Sequence, residues 1–66
     1  MNVEWVNNEV EKIKADIDSN ESAHLGEDAL YLAVLTAIAS GECDDPVDCA
    51  KAAIKASELE FARWYA

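Results

Sequence analysis

The chain has one histidine, one proline and two glycines, and neither glycine sits in a phosphate-cradling loop or a serine nucleophile elbow. Catalysis needs a nucleophile, a base and an oxyanion donor within mutual reach, and so thin an inventory supplies no such set. The sequence therefore reads as a non-enzyme that needs no cofactor. Basic residues are scarce as well. Five Lys and Arg stand against fourteen Asp and Glu, giving a net charge of −9. Coating bulk nucleic acid or an anionic membrane takes a cationic surface, so both roles are excluded. Long apolar runs are missing. The longest, Ala29 to Ala39, covers 11 residues and is broken by Thr36, well short of the ~20 that cross a bilayer. Met1-Asn2-Val3-Glu4 has no basic leader of the kind that opens a secretory signal. Two cysteines without obvious partners fit a reducing compartment with both thiols free, so the chain is expected in the cytoplasm.

What is present is helical pattern. Sixty-six residues make one domain, 1–66, and a 52% hydrophobic content is too high for a disordered acidic tail. Val3, Val6, Val10, Ile13 and Ile17 recur at 3-4-3-4 spacing, which predicts a helix over 3–19. That helix can run on to His24, which keeps the heptad phase of Ile17. A second helix is expected over 27–40, with Glu27 and Asp28 at its positive end and Gly41 just past its close. It is apolar over about 200° of its circumference. Leu30, Val34 and Ile38 form one side, and Leu32, Leu35 and Ala39 another. Two neighbouring helices can cover only one of these. The residual face, Leu32, Leu35 and Ala39, predicts a symmetric homo-oligomer. A third helix is expected over 46–64, with Asp45 as N-cap, Pro46 at the first position and Asp48 on the dipole. Its buried stripe is read as Val47, Ala50, Ile54, Ser57, Phe61 and Trp64. The fold class is all-α, a small three-helix unit.

Cys43 and Cys49 stand six residues apart beside Asp44, Asp45 and Asp48. A zinc site commonly needs a second ligand pair, which is absent, and helix capping accounts for Asp45 and Asp48 without an ion. Cys49 reads as a small packing residue near a helix start, and His24 as a polar residue near a helix end. No metal is expected. The aromatics are more suggestive. Trp5 lies about 110° off the apolar stripe of its own helix, while Arg63, Trp64 and Tyr65 crowd the last turn. Trp, Tyr and Arg are over-represented at binding hot spots, so these four are the candidate partner-binding residues. The competing reading makes Trp5 and Trp64 caps on the core of a very small domain.

The run Leu35-Thr36-Ala37-Ile38-Ala39-Ser40-Gly41-Glu42, the following Asp45-Pro46 and the ending Glu58-Leu59-Glu60-Phe61-Ala62-Arg63-Trp64-Tyr65-Ala66 resemble a type of small acidic protein encoded by tailed bacteriophages. The likeness covers residues 24–66 and includes no catalytic signature. What it implies is context: short accessory phage proteins redirect or block a host machine, antiviral defence included. Three functions then compete. The first is a helical binding protein that inhibits a host protein, a defence component among the candidates, by occupying its surface. The second is an oligomeric sponge for a small nucleotide signal, with Lys51, Lys55 or Arg63 on the phosphates and Trp64 or Tyr65 stacked on the base. The third is a DNA mimic whose acids, bunched at 16–28 and 42–48, imitate phosphates.

Overall fold

Asn2 opens the first helix by accepting the Trp5 N–H on its side-chain Oδ1 at 2.9 Å. That bond satisfies one of the donors a helix start leaves orphaned. The computed structural model of the chain describes residues 1–61. Within them run α1 (Val3–Ala15), α2 (Asn20–Ala39) and α3 (Pro46–Ile54), followed by a 3₁₀ turn, Lys55–Glu58. No strand occurs among the described residues. The fold is all-α with three helices, as expected, but several boundaries differ from the sequence reading.

α1 stops at Ala15 rather than near residue 19. The Asp16 N–H is shared between the Lys12 and Ile13 carbonyls, and Ile17 and Ser19 close two further turns. Asp16, Asp18, Ser19 and Asn20 compete with the backbone for hydrogen bonds, which favours a turn over continued helix. The α1 stripe is otherwise as read, with Val6 and Ile13 buried and Val3, Val10 and Ile17 half-buried.

α2 starts at Asn20, seven residues before the expected Glu27, so Gly26 and His24 lie inside it and α1 does not extend to His24. Glycine in a helix interior costs about 1 kcal/mol relative to alanine. Here it has a packing role: a Cβ on Gly26 would sit 3.1 Å from Ile13 Cγ1. The missing methyl lets α1 cross close to α2. The far end of α2 is as expected. Gly41 takes a φ of 74°, a left-handed conformation that glycine adopts without steric cost. Its N–H donates to Ile38 O at 3.2 Å and the Glu42 N–H to Ala37 O at 2.9 Å, the paired bonds of a Schellman stop.

α3 departs most from the sequence reading. Its helix ends at Ile54, the 3₁₀ turn ends at Glu58, and Leu59 is extended. Ser57 Oγ donates back to the Ile54 carbonyl at 2.6 Å, the kind of local bond that competes with helix propagation. The buried side is Cys49, Ala52, Ala53 and Ala56, not Val47, Ala50, Ile54 and Ser57. The helix is thus turned by about 130° from the expected stripe. Four small side chains let α3 approach both α1 and α2, and that closeness outweighs the larger side chains Val47 and Ile54, which stay outside. Leu59 and Phe61 fold back onto the core beside Met1, Val3 and Val10. The expected stripe position Trp64 lies outside the described residues.

Asp45 precedes Pro46 as expected but makes no side-chain cap hydrogen bond. Replacing Asn2 with Ala should therefore cost about 1 kcal/mol, and Asp45→Ala only the charge–dipole remainder of a few tenths. Thermal melts of the two variants test the order, and a larger loss at Asp45 would contradict this assignment of caps.

Candidate binding surface

Helix α2 packs its Ala23, Leu30 and Val34 line inward and leaves a second apolar line on the outside. Leu32 is 67% exposed, Leu35 65% and Ile38 37%, and Ala39 is exposed beside them. No charged residue occurs between Asp28 and Glu42. Because α3 is turned, Val47 and Ile54 join this side at 65% and 59% exposure. Between the two helices lies an open cleft of about 240 Å³, walled by Tyr31, Leu35 and Ile38 from α2 and by Ala50 and Ile54 from α3. The result is an apolar face, uncharged along α2, with Leu32 and Leu35 as its ridge and the α2–α3 cleft beside it, and with exposed Lys51 one turn from both Val47 and Ile54 on α3. Exposed apolar patches of this kind mark interaction sites. The sequence identified the α2 half of the face. The α3 half is not legible there, because the spacing assigns Val47 and Ile54 to the buried stripe.

Trp5 lies on the other side of α2 and is 40% exposed. Its own helix stripe does not bury it, as its angular position foretold. It walls a groove of about 390 Å³ between α1 and α2, whose floor is the small-residue line Gly26, Ala29 and Ala33. Glu9, Lys12 and Asp16 rim the groove, with Lys12 Nζ 3.4 Å from Glu9 Oε2. The three other proposed hot-spot residues, Arg63, Trp64 and Tyr65, lie outside the described residues.

The remaining candidates are dispersed. Lys51 and Lys55 are exposed one turn apart where α3 passes into the 3₁₀ turn, while Arg63 and Trp64, their partners in the nucleotide reading, lie outside the described residues. The acidic bunch at 16–28 is smaller at the surface than in the sequence, because Glu27 is buried. His24 sits in the second turn of α2 with Nε2 3.4 Å from Asp28 Oδ2. Cys49 is wholly buried and Cys43 half-buried, both as free thiols. Burial, with the Cys43 thiol beside it, pushes the Cys49 thiol above its ordinary range. Among the described residues no group of three or more His, Cys, Asp and Glu can hold a metal ion, and no helix is long and apolar enough to cross a membrane. No family model matches the chain, and no curated protein or solved structure does either.

Proposed function

We propose that the chain is a homodimeric binding module, joined through the α2–α3 face and presenting the Trp5 groove to a partner protein. The observation behind this reading is the uncharged outer face of α2, with Leu32 and Leu35 about two-thirds exposed. Its occupant is a second copy, for three reasons. First, the α2 half of the face offers no charge to match a charged partner, Lys51 stands on its α3 side, and an identical face brings no carboxylate to be desolvated. Second, ridge and cleft lie side by side, so a two-fold axis sets the ridge of each copy against the cleft of the other. Third, the charge-free part of α2 is about 16 Å long and the patch is two helices wide. Contact over it buries on the order of 1,000 Å² across two copies, enough for a specific interface. Leu32, Leu35 and Ala39 remain its proposed interface residues, with Ile38, Val47 and Ile54 added.

The groove beside Trp5 has different chemistry. An aromatic wall, a floor of Gly26, Ala29 and Ala33, and a rim on which Lys12 pairs with Glu9 and leaves the Asp16 carboxylate over suit a cationic amphipathic helix laid against the surface. The net charge of −9 draws such a segment in and keeps the dimer soluble. The likeness to accessory phage proteins supports a host protein, a defence component among them, as the owner of that segment. Two experiments separate the two claims. Sedimentation velocity at micromolar concentration should give a dimer mass, and a 7 kDa particle would sink the dimer. Trp5→Ala should weaken binding of a cationic amphipathic peptide by at least ~30-fold while the melting temperature barely moves. Equal losses in affinity and stability would make Trp5 a core residue.

A further inference from the structure

Cys43 and Cys49 lie apart from both surfaces. Cys43 stands in the loop between α2 and α3, half-buried and packed on the core, while Cys49 is wholly buried in the first turns of α3. The loop between them is tied down at several points. The stop at Gly41 fixes its entry, and Pro46 begins α3. The Met1 ammonium donates to the Glu42 carbonyl at 2.8 Å, and the Asp44 N–H donates to the Met1 carbonyl at 2.9 Å. These two bonds bracket Cys43. Its side chain packs against the core cluster that contains Cys49, and its thiol neighbours the Cys49 thiol, so the two sulfurs are close in the folded chain, one reachable from solvent and one enclosed.

We propose that Cys43 and Cys49 form a dithiol site that closes to an intrachain disulfide on exposure to a low-molecular-weight disulfide of the glutathione type. Cys43, the accessible sulfur, attacks as thiolate and breaks the reagent's S–S bond. One reagent thiolate leaves and takes up a proton, and a mixed disulfide remains on Cys43. Cys49 then attacks the Cys43 sulfur as its proton passes to the second reagent thiolate, which leaves as a thiol. Two protein S–H bonds and one reagent S–S bond become one protein S–S bond and two reagent S–H bonds. The protein is oxidised by two electrons and the reagent reduced by two. The order of attack follows from exposure, and burial reinforces it by keeping Cys49 protonated until Cys43 has reacted. The closed bond would staple the entrance of α3 to the loop that the N-terminus holds.

The test equilibrates the full chain with graded mixtures of oxidised and reduced glutathione, quenches with acid and reads the products by mass. The expected product is two hydrogens lighter, links Cys43 to Cys49 within one chain, and forms with an oxidation constant at least ~10-fold larger in the folded protein than in denaturant. Cys49→Ser should accumulate a mixed disulfide on Cys43, and Cys43→Ser should leave Cys49 unmodified while the protein is folded. Equal constants folded and unfolded, linkage between chains, or modification of Cys49 ahead of Cys43 would each overturn the proposal. Should either variant fail to fold, the comparison of constants in the unaltered protein decides.

Discussion

Leu35→Lys is expected to convert the dimer to a monomer without touching the core of the subunit. Leu35 is 65% exposed in the single chain, and lysine is nearly as good a helix former as leucine. The subunit on its own therefore loses little. In the proposed dimer the same side chain is enclosed. Burying a leucine is worth ~1.5–3 kcal/mol, and a two-fold axis places the substitution in the interface twice. Removing the exposed two-thirds of that value at both sites amounts to ~2–4 kcal/mol, a rise in dissociation constant of at least ~30-fold before the unpaired ammonium is considered. Leu32→Lys should act alike, since it shares the ridge. Sedimentation and circular dichroism together separate the outcomes. A helical monomer means the subunit folds alone, and an unfolded variant that regains helix at high concentration means folding and assembly are linked. Glu11→Lys, an exposed change on α1 away from the face, should leave the mass unchanged. A Leu35→Lys protein that still sediments as a dimer would remove α2 from the interface.

How far the sequence could be read depended on which physical term decided each element. The α1 stripe, the glycine stop after α2 and the off-stripe place of Trp5 follow from periodicity and backbone sterics, and the structure has all three. Gly26 and α3 followed a different rule. Gly26 stands directly before the two acids that mark a helix start in the sequence, yet its role is to admit Ile13, a contact between helices that no local pattern encodes. In α3 two stripes compete. Val47 and Ile54 outrank Cys49, Ala52, Ala53 and Ala56 in hydrophobicity, but the small set wins because it allows backbone approach to two neighbours at once. Transfer energy alone favours the first choice, and close packing favours the second. Glu27 was placed on the acidic start of a helix because the sequence put that start at residue 27. With α2 beginning at Asn20, the same residue falls one turn before Leu30 and Tyr31 and turns inward.

The outward turn of α3 bears directly on the proposed interface. A sequence that buried Val47 and Ile54 would leave only the ridge of α2 exposed, a strip one helix wide. Turning α3 outward doubles the width of the apolar face and creates the cleft beside the ridge. The proposed self-association would then rest on two helices, which would fix their relative register as well as their contact, since a ridge seated in a cleft resists sliding.

Leu30→Ala is expected to have the largest effect on stability, and its comparison with Leu32→Ala tests the orientation of α2. The two leucines are separated by one residue, but Leu30 is 3% exposed and Leu32 is 67% exposed. Truncating a buried leucine removes its transfer energy and leaves a cavity, about 2–5 kcal/mol in all. A 66-residue chain has a total stability of about 3–10 kcal/mol, so this single change takes away much or all of it. The surroundings offer little relief: Val6, Ile13, Val34 and Ala53 belong to the same core cluster, and α1 is already held close by the gap at Gly26. Leu32→Ala, measured in the monomer produced by Leu35→Lys, should cost only a few tenths of a kcal/mol, because alanine improves helix propensity while little burial is lost. Denaturant titrations of both variants give the difference directly. A gap of at least ~2 kcal/mol supports the inward placing of Leu30, and equal losses would mean that α2 buries a different face.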